Sequence, residues 1–247
     1  MMTGVATGAP EEGATSPKIW ISVVVPCLNE ATRIGAAVDS AWRFGADEVI
    51  VVDGGSADSS PAVAAERGAM VVTSPPGRGR QIAAGCRRSD GGVLVVLHAD
   101  CLLPDDAGEV LRRYAATGGK SGVWGGMGQR IDDPARRYRW LERANAWRAR
   151  RGMIYGDQAM WMTRRIHDAV GGFDDVPLME DVRISQRLRA FGRPVVIEGP
   201  VVVDARRWRT RGVCRTTLLN QAIRLAHHCG VDEQTLADWY RGKRANE

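Results

Sequence analysis

Residues 19–26 read IWISVVVP and residues 48–53 read EVIVVD. Both are short, nearly unbroken runs of β-branched residues. Apolar runs of this length without polar alternation are buried on both faces, as the parallel strands of α/β sheets are. Residues 70–73 (MVVT) and 93–98 (VLVVLH) repeat the pattern. Helical spacing fills the gaps between them. Residues 32–44 place Ile34, Ala37, Val38, Ala41 and Trp42 on one side of a helix. A second helix, capped by Asp58 or Ser59 with Pro61 in its first turn, runs to residue 67. Residues 79–89 and 104–117 read as two more. This alternation predicts an α/β fold: a doubly wound, mainly parallel central sheet with helices on both faces.

Beyond residue 118 the pattern is less regular. It predicts strands at 122–131, 158–163, 195–198 and 201–205, and helices at 136–151, 163–170, 180–191 and 216–229. No Pro- or Ser-rich linker interrupts it, so a single domain over residues 18–240 is expected, with a short tail at 241–247. Residues 1–17, rich in Gly, Ala, Thr and Pro, have neither a basic n-region nor an apolar h-region. They read as a disordered lead-in rather than a signal peptide.

The 247 residues, 44% of them hydrophobic, suffice for one good core. No apolar run approaches the roughly 18 residues of a spanning helix. The reading is a cytoplasmic protein, at most peripheral at the inner face of the membrane. The five cysteines include no CxxC pair and are odd in number, which favours free thiols and gives a zinc site no support. A net charge of +5 suits anionic partners: nucleotide diphosphates, phospholipid head groups or nucleic acid. No nucleic-acid-binding signature is present, so nucleic acid is not an expected partner.

In doubly wound sheets ligands bind beyond the carboxyl ends of the strands. Three strand ends carry polar groups: Pro26-Cys27-Leu28-Asn29-Glu30, Asp53-Gly54-Gly55-Ser56 and His98-Ala99-Asp100. Asp100 is placed either to hold a hard divalent cation or to cap the next helix. Asp53 either accepts hydrogen bonds from a ligand or forms an ordinary turn. Residues 75–80, PPGRGR, lack the third glycine of a dinucleotide fingerprint, Ile82 standing there, and follow the third strand rather than the first. Their arginines remain able to grip phosphate. Glu180-Asp181 opens an amphipathic helix and serves either as capping charge or as general base.

The ordered set SVVVPCLNE, VVDGGSADSS, GRGRQIAAG, LVVLHAD, GGFD and MEDVRISQRL resembles family 2 glycosyltransferases of the GT-A type over residues 21–188 and less closely to 212. It is most similar to small bacterial members associated with arsenosugar biosynthesis or with radical-SAM and selenium-related gene clusters, a likeness to which ARRWRTRGV adds. The resemblance implies a nucleotide-binding half over residues 18–117 and an acceptor half over 118–240. Pro26, Asn29, Glu30 and Asp53 would cradle the base and ribose of a nucleotide-sugar donor, a UDP-sugar by family habit. Arg80 would lie near base and phosphates. Asp100 would be the second carboxylate of a DxD motif holding Mn²⁺ or Mg²⁺, and Asp181 the catalytic base with Glu180 beside it. Asp157, Gln158, Arg207 and Trp208 would meet the donor sugar or acceptor.

Two positions depart from the family pattern. His98 stands where the first Asp of DxD belongs, which shifts metal preference toward Mn²⁺ or reassigns the side chain to the ribose. Asp204-Ala205-Arg206-Arg207-Trp208 aligns with QxxRW of processive synthases but lacks its Gln. With no membrane span expected, the implied reaction is a single transfer, and with Asp181 as base it inverts the anomeric configuration. A nucleotidyltransferase of similar fold, a non-catalytic nucleotide-sugar-binding protein and a basic nucleic-acid binder are the alternatives. Two helices leave their surfaces open at this level. Trp140, Ala144 and Trp147 share one face of the basic helix at 136–151, which packs on the sheet, grips an acceptor or lies on a membrane. Leu218, Leu219, Ala222, Leu225 and Ala226 give the 216–229 helix a side that docks on the core or lies in a membrane interface.

Overall fold

The computed structural model describes residues 18–117 and 123–241. The expected lead-in at 1–17 and the last six residues of the expected tail lie outside the described residues. The elements run β1 (Ile21–Cys27), α1 (Ile34–Phe44), β2 (Glu48–Asp53), α2 (Ser60–Glu66), β3 (Met70–Thr73), α3 (Arg78–Arg88), β4 (Val93–Val96), β5 (Cys101–Leu102) and α4 (Ala107–Thr117). They continue as β6 (Trp124–Ile131), α5 (Arg136–Arg150), β7 (Trp161–Thr163), α6 (Arg164–Ala169), α7 (Glu180–Leu188), β8 (Val195–Val203), α8 (Arg206–Arg211), α9 (Val213–His228) and α10 (Glu233–Arg241).

The strands form one sheet of order β3-β2-β1-β4-β7-β6-β8-β5. β3, β2, β1 and β4 are mutually parallel, as the sequence predicts. β7 is antiparallel to both β4 and β6, β6 and β8 are parallel, and β5 closes the edge antiparallel to β8. Successive residues of β1 and β2 feed opposite cores. Val23, Val25, Val49 and Val51 pack with α1, α2 and α4. Val24, Ile50 and Val52 pack with α3, α5, α6 and α7 on the other face. That two-sided burial is why these runs show no alternation in sequence. Each such side chain contributes roughly 1.5–3 kcal/mol by leaving water.

Gly85 sets how closely α3 approaches the sheet. A Cβ there would overlap Val24 and lie 2.9 Å from Val52.

The structure revises several expectations. The strands expected at 195–198 and 201–205 are one, β8. Gly199, at φ +105°, kinks it, and the pairing with β6 skips between Met127 and Gly128; a bulge of this kind looks like a gap in a hydrophobic pattern. The strand expected from residue 158 begins at Trp161, after a 3₁₀ turn at Gly156–Gln158. The short elements β5, α8 and α10 were not anticipated. On α5, the face bearing Trp140, Ala144 and Trp147 points to solvent, and Tyr138, Asn145 and Ala149 are buried instead. On α9, Leu218 and Leu225 are exposed, whereas Ile223 packs with Leu178, Met179, Val182 and α10 residues Leu236 and Ala237. No helix among the described residues is long and apolar enough to cross a membrane.

All five cysteines are free; Cys27, Cys86 and Cys101 are buried, and Cys214 and Cys229 exposed. Burial pushes the Cys27 thiol up to about 11 and Cys86 to about 12, and lifts Cys101 well above its ordinary value. A thiol reagent at pH 8 should therefore modify Cys214 and Cys229 promptly in native protein and the other three only after denaturation. Rapid native reaction at more than two thiols would show that the packing of β1, α3 and β5 is wrong.

Candidate active site

A cleft of about 220 Å³ opens between the carboxyl end of β4 and the helices α5, α7, α8 and α9. Its walls include His98, Asp100, Asp157, Asp181, Arg207 and Trp208, as well as Arg78, which the sequence marks only as one of two arginines able to grip phosphate.

The loops after β1 and β2 are stitched to each other. Asp53 accepts hydrogen bonds from the backbone N–H groups of Gly55 and Ser56 and from Ser56 Oγ. Asn29, held at φ +55°, accepts from the Ala57 N–H at 2.8 Å, while its own N–H donates to Ser56 Oγ. Asn tolerates this left-handed backbone better than most residues do. Pro26, Asn29, Glu30 and Asp53 thus converge at one sheet end, outside the cleft walls. Glu30 links them to the cleft: its carboxylate accepts from Arg206 at 2.7 Å, and Arg206 also lies 3.8 Å from Asp100. Arg33 adds a bond to Asp204 at 2.6 Å.

At the end of β4, His98, Asp100 and Cys101 bring ligand atoms within 4.8 Å of one another. His98 Nε2 is buried without a hydrogen-bond partner, an orphan that a ligand would satisfy. Burial, with Arg78 nearby, lowers the imidazole's proton affinity, which favours the neutral ring that a metal ligand must be. Burial keeps the Cys101 thiol protonated, so it contributes no thiolate. The remaining imidazole and carboxylate fit a divalent cation, and the nitrogen favours Mn²⁺ over Mg²⁺. Gly156 makes room for this arrangement, since a Cβ there would overlap the His98 ring.

Asp181 faces the same cleft from the first turn of α7. Its Oδ2 accepts the Gly156 N–H at 3.0 Å and its Oδ1 the Val182 N–H at 2.8 Å. Met179, just before the pair, is held at φ +70°, a costly backbone for a non-glycine residue and one that clusters at functional sites. Glu180 points away, fully buried against Arg78. Burial raises its proton affinity while Arg78 opposes that. Burial also acts to lower the affinity of Arg78, but Glu180, Asp181 and Asp157 outweigh it and hold the guanidinium charged.

The other expected site residues divide. Asp157 Oδ2 accepts from Gln129 at 2.8 Å, leaving Oδ1 buried and unpartnered. Gln158 is buried and closes the turn: its Oε1 accepts from Arg148 and from the Tyr155 N–H, so it does not reach the cleft. Arg207 lies 4.4 Å over the Tyr240 ring and Trp208 edge-on to Tyr138 at 6.2 Å. Arg80 turns outward to Asp175 at 2.7 Å, and Arg78 takes the inward place expected of it.

Residues 22–173 match the description Glycosyl transferase family 2, and the chain belongs to that family. An uncharacterized glycosyltransferase of Mycobacterium tuberculosis is 35% identical over 99 residues, 38% of this chain and 42% of that protein. The alignment therefore spans about two fifths of that relative's length. Glucosyl-3-phosphoglycerate synthase from M. tuberculosis, crystallised with Mn²⁺, UDP-glucose and phosphoglyceric acid, is similar in fold. It has a TM-score of 0.55 and 20% identity over 86% of this chain and 80% of that one. S. aureus TarS gives a TM-score of 0.62 at 12% identity over 75% of this chain and 37% of its own.

Removing Arg78 would leave Glu180 buried and unpaired. Arg78→Ala should cost about 3 kcal/mol in denaturant unfolding, and adding Glu180→Gln should restore a good part of it. A negligible loss in the single variant would show that the pair is not buried as described.

Proposed function

We propose that the protein is an inverting glycosyltransferase that moves one sugar from a nucleotide diphosphate donor, a UDP-sugar, to a hydroxyl acceptor. The observation that carries this reading is the pairing of Asp100 and Asp181 across one cleft. One carboxylate stands beside an unpartnered imidazole nitrogen; the other is fixed by two backbone N–H groups. The family membership and the Mn²⁺ and UDP-glucose in a solved structure of similar fold support it.

Pro26, Asn29, Glu30 and Asp53 bind the base and ribose. Their loop-to-loop hydrogen bonds pre-form that rim, which lowers the ordering cost of binding. Asp100, with His98 beside it, would hold a divalent cation, which would supply positive charge to the leaving diphosphate. Arg206 and Arg207 add positive charge on the same side. Asp181 orients the acceptor hydroxyl and takes its proton as the oxygen bonds to the anomeric carbon. The bond from that carbon to the diphosphate breaks on the opposite face, the configuration inverts and the nucleoside diphosphate departs. Positioning and charge stabilisation supply most of the rate. Glu180 contributes through Arg78, holding the start of α7 in place. Asp204, where processive enzymes have Gln, is bound to Arg33; with no spanning helix among the described residues, a single transfer is the simpler reaction.

The chain acts as one unit over residues 18–240. Exposed Trp140 and Trp147 among the arginines of α5 support peripheral contact with an anionic membrane. Nothing in the cleft bears on the arsenosugar or selenium association, and it forms no part of the proposal.

Calorimetry should find UDP binding that strengthens with Mn²⁺, and a loss of that metal dependence in Asp100→Ala. No binding of UDP, GDP or dTDP to the wild type would sink the donor assignment. Release of pyrophosphate instead of a nucleoside diphosphate would reassign the enzyme as a nucleotidyltransferase. Asp181→Asn should leave UDP affinity intact and lower turnover by about 10²–10⁴-fold; full activity in that variant would remove Asp181 from the mechanism.

A further inference from the structure

One part of the cleft wall is cationic. Arg148 of α5 stacks on the Tyr155 ring, 3.7 Å from its centroid. Arg224 of α9 lies 5.6 Å from the same centroid and donates to the Tyr155 hydroxyl. All three residues line the cleft. Among the described residues, neither arginine has a carboxylate partner. Arg148 donates to Asn145 Oδ1 at 2.7 Å, to Gln158 Oε1 at 2.9 Å and weakly to the Met153 carbonyl, and Arg224 donates to Gln221 and Tyr155. The other charged groups on the walls are mostly accounted for. Arg78 is paired with Glu180, Asp204 with Arg33, and Asp157 and Asp181 accept from Gln129 and from backbone N–H groups.

Two like charges drawn onto one aromatic ring repel, and neutral amides do not offset that. Burial works most strongly against the charge on Arg148; Asp157 and Tyr155 favour it, Arg224 opposes it, and Asp181 favours it more weakly, with a net lowering of its proton affinity. Proteins gather guanidinium groups in this way where a ligand brings the missing negative charge, since the planar fork grips phosphate and carboxylate oxygens in pairs. The position fits the acceptor rather than the donor. Tyr155 directly precedes Gly156, which packs against His98 but whose N–H holds Asp181, and the Asp100 side already has its own arginine in Arg206.

We infer that Arg148 and Arg224, set around Tyr155, bind an anionic group on the acceptor, a phosphate or a carboxylate, while the hydroxyl to be glycosylated meets Asp181. The inference rests on the glycosyltransferase reading for the word acceptor, but the anion site stands or falls by itself.

The test titrates inorganic phosphate, glycerol 3-phosphate, lactate and glycerol into the protein, alone and saturated with UDP and Mg²⁺. At least one anion should bind both forms while glycerol binds neither. Arg224→Gln should weaken anion binding about tenfold or more, Arg224→Lys less, and UDP affinity should not change. Arg148→Gln should act like Arg224→Gln; if its contacts with Asn145 and Gln158 make it unstable, the Arg224 variants decide alone. The inference is overturned if no anion binds, if binding ignores the Arg224 substitutions, or if UDP displaces the anion one for one, which would give the arginines to the donor. Anion binding that depends on Arg224 in a protein with no affinity for UDP would sustain the anion site and remove the donor assignment instead.

Discussion

The ion pair between Arg78, which lines the cleft, and fully buried Glu180 joins the two parts of the site. Arg78 opens α3, which packs on β1 and β2; Glu180 opens α7, which carries Asp181. Around the pair the two backbones also meet directly, with the Arg78 and Gly79 N–H groups donating to the Pro177 and Val176 carbonyls. Gly79 has no room for a side chain there, since a Cβ would lie 2.6 Å from the Val176 carbonyl oxygen. A buried pair of this kind gains little net stability over apolar packing, because both charges leave water. Its value is geometric. It fixes where α7 begins relative to the sheet, and so the separation between Asp181 and Asp100.

The parallel half of the sheet was readable because its physics is local. EVIVVD at residues 48–53 is a strand with those bounds, since two-sided burial leaves an unmistakable apolar run; MVVT at 70–73 also has the expected bounds, but as the edge strand it is only partly buried. The later half is antiparallel and shorter in its elements. β5 is two residues long and is held by β8, a hundred residues away, so no local pattern encodes it. For α10 the sequence does carry a local signal: Asp232 accepts from the Thr235 N–H and hydroxyl, an N-terminal cap before Leu236 and Ala237.

Within the site, residue type was legible and orientation was not. Family resemblance points to Arg80, yet Arg78 stands four residues before buried Ile82 and therefore on the same helical face. Helical phase alone would have separated the two arginines. Gln158 illustrates the opposite case. Its amide suits a sugar hydroxyl as well as it suits a turn, and only the tertiary position of Arg148 shows that it is already engaged. The face of Trp140 and Trp147 is similar: its spacing is right for packing, but Tyr138 and Asn145 occupy the inward side.

The place of β4 in the sheet has a consequence for how the chain is made. β4 lies between β1, some seventy residues earlier in the chain, and β7, some seventy later. During synthesis the four parallel strands can assemble as soon as β4 has left the ribosome, yet its outer edge then stays unpaired until residue 163 emerges. An apolar strand with open backbone donors and acceptors is a template for pairing with other chains. The nascent protein is thus most vulnerable to aggregation when it is half made. A gene fragment ending near residue 117 would carry that exposed edge permanently.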